Sequence, residues 1–342
     1  AHALSLEMNI PGGRLPTAAV TSVGVSATHR RRGILTNMMS QQLKDVYERG
    51  EPLAALWSSE SIIYGRFGYG IGSFHEHWTI NKHHTAFTKP KEPRPNLAYV
   101  NLEKVQKEFP DIYRRALVNR PGAIQPPSFH WDRLIAEQQR LQREGSEAMF
   151  FVCYKEHGKI NGYVSYQIKG DTVVVSDLIT VTDKAHAELW KYCSEIDLMS
   201  ITEANHRPID APLIWMLADS RKLQRTTTDA LWIRLVNICN ALSARRYMER
   251  GRLVLEVKDS FCSWNDGRYE LEGGPDGSTC RLSSKSPDIV LSSNELASVY
   301  LGTVNFTMLA RSGRIEEQSN NALCIADAMF ANELKPWCPY IF

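Results

Sequence analysis

Residues 20–39, VTSVGVSATHRRRGILTNMM, decide how this chain is read. From Val20 to Val25, β-branched residues alternate with small ones and predict a strand, with Gly24 marking a bulge or a close approach to the backbone. His29-Arg30-Arg31-Arg32-Gly33 forms a basic turn. Beyond it Ile34, Leu35, Met38, Met39, Leu43, Val46 and Tyr47 recur at three- and four-residue spacing, the apolar face of a helix that Gly50 stops after Arg49. A strand, a basic glycine-bearing turn and a helix N-terminus together offer unpaired N–H groups, the positive end of a dipole and guanidinium charge. A pyrophosphate fits such a place. The chain has no GxxxxGK(S/T) loop and no GxGxxG after a strand, so neither a nucleotide hydrolase nor a dinucleotide enzyme is indicated.

Arg30-x-x-Gly33-x-Leu35 resembles the R/Q-x-x-G-x-G/A acyl-CoA signature of the GNAT N-acetyltransferase superfamily, with Leu35 where that pattern prefers Gly or Ala. Pro52–Trp57 (PLAALW) then reads as a buried strand without polar alternation. Ser58-Ser59-Glu60 follows, and after it Ile63-Tyr64-Gly65-Arg66-Phe67-Gly68-Tyr69-Gly70. This combination of THRRRG, helix, strand ending in SSE, and IYGRFGYG resembles the enhanced-intracellular-survival (Eis) family of multi-acetylating N-acetyltransferases.

The resemblance implies an α/β (α+β) chain of tandem GNAT-like domains followed by a sterol-carrier-protein-like α+β domain. The expected segments are 1–90 (acetyl-CoA-binding), 91–229 (GNAT-like, without a cofactor site of its own) and 230–342 (sterol-carrier-like, ending in a catalytic C-terminus). Ala1–Asn9 would take the place of the third GNAT strand, so the earlier elements of the first domain have no counterpart in these residues. Acetyl-CoA is the implied co-substrate. Val23, Gly24 and Val25 would face the pantetheine arm and the thioester oxygen; Arg31, Arg32, Gly33, Ile34, Leu35 and Thr36 would wrap the pyrophosphate; Ser59 and Glu60 would stand beside the cofactor. The implied catalytic pair is Tyr64 as general acid and the terminal carboxylate of Phe342 as general base. A phenol of pKa ~10 keeps its proton at neutral pH, and a terminal carboxylate of pKa ~3.5 is ionised there. Tyr69 is assigned to packing. Several aminoglycoside-acetylating relatives carry an acidic residue before the terminal aromatic, where this chain has Ile341, so a polycationic substrate loses one attractive charge. The implied substrate is an aminoglycoside-type or lysine-type amine, small molecule or peptide, and the implied assembly a homohexamer. Two other readings follow from the same domains: transfer of a longer acyl chain, and a lipid- or acyl-CoA-binding scaffold.

Composition agrees with a globular chain. Its 342 residues are 43% hydrophobic and 23% charged with a formal charge of +2, which gives no nucleic-acid or anionic-membrane footprint. No apolar run approaches the ~20 residues of a membrane span, and no signal peptide is seen. Seven scattered cysteines without CxxC spacing predict reduced thiols in a cytoplasmic protein without a metal. His75-x-His77 lies in an alternating strand, 74–82, with no carboxylate or thiol set at ligand spacing.

Along the rest of the chain, residues 83–96 read as a linker, 102–109 and 112–118 as two helices, and 129–142 as a helix beginning near Ser128. Strands are predicted at 148–154, 162–168 and 172–179, then helices at 186–199 and 212–217. Residues 230–245 (ALWIRLVNICNALSAR) carry Leu231, Leu235, Ile238 and Leu242 at helical spacing. Strands follow at 251–258, 267–272 and 278–282, and helices at 293–301 and 320–332, before the tail ELKPWCPYIF.

Overall fold

A computed structural model describes residues 1–89, 96–144 and 149–342. The chain begins with the hairpin β1 (His2–Ile10) and β2 (Gly13–Thr21), then α1 (Ile34–Glu48), β3 (Leu53–Trp57), α2 (Ser61–Tyr64), β4 (Gly70–Ile71) and β5 (Phe74–Asn81). It continues through β6 (Leu97–Tyr99), α3 (Leu102–Ala116), α4 (Ser128–Arg143), β7 (Phe150–Glu156), β8 (Lys159–Lys169), β9 (Thr172–Thr180), α5 (Asp183–Glu195), β10 (Ile201–Arg207), α6 (Leu213–Met216) and β11 (Gln224–Asp229). The remainder is β12 (Leu231–Leu235), α7 (Ile238–Ala244), β13 (Gly251–Lys258), β14 (Gly267–Gly274), β15 (Gly277–Leu282), β16 (Ile289–Ser292), α8 (Ser293–Tyr300), α9 (Phe306–Arg311), β17 (Glu316–Glu317) and α10 (Ala322–Phe330).

Two compact units result. One comprises residues 1–74, 119–124 and 229–342, the other 75–118 and 125–228. The first holds a five-stranded sheet in the order β1-β2-β3-β12-β4 and a second one in the order β15-β14-β13-β16-β17. Parallel pairing of β2 with β3 runs from Thr17–Leu53 to Val20–Leu56, with α1 as the intervening helix. Met39, Leu43 and Val46 of α1 pack with Ala18, Val20, Ala54 and Leu56, the core on which the basic turn is mounted. Gly50, at φ +74°, ends α1, and Glu51 N bonds back to Val46 O at 3.2 Å. Further on, Ser292 caps α8 in a reciprocal capping box with Glu295. The other unit carries a seven-stranded sheet, β11-β5-β10-β9-β8-β7-β6. There β9 and β10 pair in parallel across α5.

Three expectations are corrected. The strand predicted over 20–25 ends at Thr21, because Ser22 adopts φ +54° and turns the backbone out of the ladder. The helix predicted over 230–245 is a strand, β12, followed by the shorter α7. β12 is buried along its whole length between β3 and β4, so it lacks polar alternation and its apolar spacing imitates a helix. The two helices of 102–118 are one, α3, with Pro110 inside it. In space, β5 falls in the seven-stranded sheet and β12 in the first five-stranded sheet. Strands β6, β10, β11 and β16 and helix α9 were not anticipated. Residues 90–95 of the predicted linker and Ala148 of the predicted strand lie outside the described residues. No described helix is long and apolar enough to cross a membrane. The seven cysteines are free thiols.

Candidate active site

The site grows from the place where β2 and β3 part. Beyond Val20–Leu56 the two strands no longer pair. After the turn at Ser22, the N–H groups of Val23, Gly24 and Val25 form no hydrogen bond among the described residues. Residues Arg31 (φ +63°) and Gly33 (φ +74°) then take left-handed conformations that wind the basic turn onto the start of α1. No side chain caps α1; its first intrahelical bond is Asn37 N to Gly33 O at 3.0 Å, which leaves the N–H groups of Ile34, Leu35 and Thr36 outward. An alanine at Gly33 would carry the left-handed strain that glycine avoids.

These groups line a cavity of about 660 Å³. Its walls are Val23, Gly24 and Val25 on one side, Arg31, Gly33, Ile34, Leu35 and Thr36 on another, and Ser59, Glu60 and Tyr64 opposite. Every predicted cofactor residue except Arg32 lines it. Arg32 is exposed and lies outside the lining. His29, Arg30, Ile63 and Arg66 also line it and were not assigned from the sequence. Arg30 opens the acyl-CoA motif and Arg66 sits two residues after Tyr64, so both were visible as basic positions. None of Arg30, Arg31 and Arg32 pairs with a carboxylate among the described residues. The cavity therefore joins uncompensated guanidinium charge to a helix N-terminus, as an anionic diphosphate requires.

Tyr64 ends α2 and is buried, and that burial raises its phenol pKa. Its ring meets that of Tyr69 edge-on at 6.0 Å. Tyr69 is fully buried, which pushes its phenol strongly upward, and its hydroxyl finds no partner among the described residues. The loop between them is held from outside: Asn294 Nδ2 donates to Gly65 O at 2.6 Å and to Tyr69 O at 2.9 Å. Gly68, at φ +78°, lies against the guanidinium of Arg234, and a Cβ there would come within 2.4 Å of Nη1. Arg234 is itself fully buried and ion-paired with Asp259, whose other carboxylate oxygen accepts from the Phe261 and Cys262 N–H groups.

Phe342 is half-buried and is not among the lining residues. The tail is anchored nearby. Trp337 N donates to Pro121 O at 2.9 Å, and Trp57 Nε1, at the end of β3, donates to Tyr340 O at 3.2 Å. The Phe342 ring stands 5.9 Å from that of Tyr340, while Ile341 is exposed. Trp57 is two residues from Ser59 of the cavity wall, and Phe342 two residues beyond Tyr340, a reach of ~7 Å on each side.

In the other unit, α5 offers a contrast with α1. Thr182 caps it, accepting from Ala185 N at 3.2 Å, and Asp183 places negative charge in its first turn. That terminus is already satisfied and repels a phosphate. The histidines of β5 face β10: His75 Nδ1 lies 3.1 Å from His206 Nδ1, and His77 bonds Asn205. No group of three or more potential metal ligands occurs among the described residues.

Comparison with known proteins gives the family. Models described as acetyltransferase (GNAT) domain match residues 1–72 and 122–235, and one described as sterol carrier protein domain matches 238–339. N-acetyltransferase Eis of Mycobacterium tuberculosis (strain ATCC 25177 / H37Ra) is 33% identical over 97% of this chain and 82% of its own. The chain belongs to the Eis family of GNAT N-acetyltransferases. It is an enzyme, an N-acetyltransferase acting on amines, built of tandem GNAT domains and a sterol-carrier-like domain. An uncharacterized N-acetyltransferase of Streptomyces avermitilis is 37% identical over 100% of the chain and 86% of its own length. The crystal structure of Eis1 from Mycobacterium abscessus superposes with a TM-score of 0.86 at 32% identity, covering 99% of this chain and 86% of that one. A GCN5-related N-acetyltransferase from Anabaena variabilis shares the fold at a TM-score of 0.87 and 21% identity, covering 99% and 86% of the two chains.

Proposed function

We propose that this Eis-family enzyme transfers an acetyl group from acetyl-CoA to a primary amine, with Tyr64 as general acid and the Phe342 carboxylate as general base. One observation carries the reading: a single cavity is lined at once by the unpaired N–H groups of Val23–Val25 and Ile34–Thr36, by Arg30 and Arg31, and by the buried phenol of Tyr64.

Bound acetyl-CoA supplies an activated acetyl group as its thioester. The first turn of α1, with Arg30 and Arg31, would hold the pyrophosphate through N–H donors and guanidinium charge. The N–H groups at 23–25, unbonded among the described residues, would pair with the pantetheine arm, and one of them would stabilise a carbonyl oxygen as it gains charge. Tyr64 carries a proton on its phenol oxygen, which burial keeps in place at neutral pH, and delivers it to the departing sulfur. The carboxylate of Phe342, brought near by the Trp57–Tyr340 bond, accepts the proton of the attacking ammonium.

The acceptor is an aminoglycoside-type or lysine-type amine, and the exposed apolar Ile341 beside the base favours acceptors that do not depend on a carboxylate there. The family further supports a homohexamer working in the cytoplasm, and a GNAT-like second domain, bearing Asp183 at its helix terminus, that holds no cofactor of its own. CoA-thiol release across aminoglycosides, polyamines and a lysine peptide tests the reaction. Tyr64→Phe should cut kcat by ~10²-fold or more with little change in KM for acetyl-CoA. Acetyl-CoA binding without release against any amine, or full turnover in Tyr64→Phe, would favour a binding scaffold instead; better turnover with longer acyl-CoAs would favour a long-chain acyltransferase.

A further inference from the structure

Outside the cavity, helix α7 lies against strand β15 through a set of polar bonds. Cys280 N donates to Ser243 Oγ at 2.9 Å, and Ser278 Oγ reaches the carbonyls of Leu242, Ser243 and Arg245 at 3.1, 3.0 and 2.7 Å. Cys239 stands four residues before Ser243, so it lies on the same helix face one turn earlier. Ser278 and Cys280 fall on one face of β15, the face whose groups bond α7, so Cys280 stands beside the turn of α7 that carries Cys239. Both are partly exposed. Cys153, Cys193, Cys262 and Cys338 are buried, and Cys324 is exposed at a separate place on α10.

Their proximity polarises the pair. The neighbouring Cys280 thiol lowers the Cys239 thiol to about 7, while Cys280 is raised by Cys239 and by burial. Near neutral pH one sulfur is a thiolate and its neighbour keeps the proton, the division between an attacking and a resolving thiol.

We propose that Cys239 and Cys280 form a modification site that closes reversibly to an intramolecular disulfide by exchange with a low-molecular-weight disulfide. Cys239 Sγ attacks one sulfur of the small disulfide, whose S–S bond breaks to release a thiolate and leave a mixed disulfide on Cys239. Cys280 gives its proton to that thiolate, and its Sγ attacks Cys239 Sγ, expelling the second small thiol. Two protein thiols are oxidised, and one small disulfide is reduced to two thiols. The product pins α7, which follows directly on β12, to the edge of the second sheet. Neither sulfur lines the acetyl-CoA cavity, so the site stands apart from the proposed chemistry.

The full-length protein is incubated with glutathione disulfide at pH 7.5, alkylated with iodoacetamide and digested for peptide mass spectrometry. The expected product joins the peptides of Cys239 and Cys280, two hydrogens lighter than their sum, and disappears on reduction. Cys280→Ser should instead accumulate glutathione on Cys239, because the resolving sulfur is gone, and Cys239→Ser should leave Cys280 unmodified. Thermal melts confirm that each variant is folded, and reduced variants keep wild-type CoA release. Alkylation of both thiols in the wild type without a joined peptide overturns the proposal. So does a mixed disulfide on Cys239 that persists in the wild type.

Discussion

Changing Gly33 to alanine separates what the start of α1 does for stability from what it does for the cofactor. Gly33 sits at φ +74°, and an added Cβ would meet nothing within 4 Å. The cost in the folded state is therefore the left-handed strain alone, ~1–2 kcal/mol. The Asn37 N to Gly33 O bond survives. Gly68 is the control, because it has nearly the same backbone (φ +78°) but a Cβ there would fall 2.4 Å from Arg234 Nη1 and 2.7 Å from Ser293 Oγ. Arg234 is held by Asp259 and cannot withdraw freely, so Gly68→Ala adds ~1–3 kcal/mol of overpacking to the same strain. Urea melts should place the two variants in that order. Because Gly33 lines the cavity, under the proposed function its new methyl group would also stand where the pyrophosphate approaches the backbone. A loss of ~1.4 kcal/mol in binding raises KM for acetyl-CoA about tenfold, with kcat little changed. A stability loss above ~3 kcal/mol in Gly33→Ala, or a well-folded variant with unaltered KM, would refute this account of the turn.

Other consequences are checked as directly. Adding one alanine after Phe342 moves the terminal carboxylate by ~3.5 Å and should lower kcat by ~10²-fold without unfolding the protein; full activity would remove the carboxylate from the mechanism. Asp259→Ala leaves Arg234 buried and unpaired, and chemical denaturation should show a loss of ~3–5 kcal/mol. Burial lowers the folded-state pKa of both His186 and His206 to about 4, below the unfolded value of ~6.5. The unfolded chain thus binds more protons between those values, so stability holds above pH 6.5 and declines as pH falls toward 4. His186→Phe should flatten that decline, and an unchanged slope would show that His186 does not contribute to it.

What the sequence made legible was local. The apolar face of α1, the Gly50 stop and the motif around Tyr64 each lie within a few residues, and every predicted cofactor residue but Arg32 meets in one cavity. The misreadings arise where distant chain decides the outcome. β12 became a strand because β3 and β4 receive it on both sides, a fact its own five residues, four of them apolar, do not contain. Ser22 gave no warning of its positive φ, since serine rarely adopts one. The anchoring of the tail rests on Trp57 and Tyr340, 283 residues apart, and no periodicity reports such a bond.

The insertion of β12 between β3 and β4 also fixes an order of assembly. Leu53 must wait for Leu235 before its strand is paired on both sides, while the unit formed by residues 75–118 and 125–228 has all its strands to hand earlier in synthesis. Loop closure over such a span slows the completion of the sheet beneath the cavity relative to local pairings. A nascent or truncated chain ending before residue 231 would expose the apolar edge of β3, a surface open to misassembly until the last third of the protein arrives.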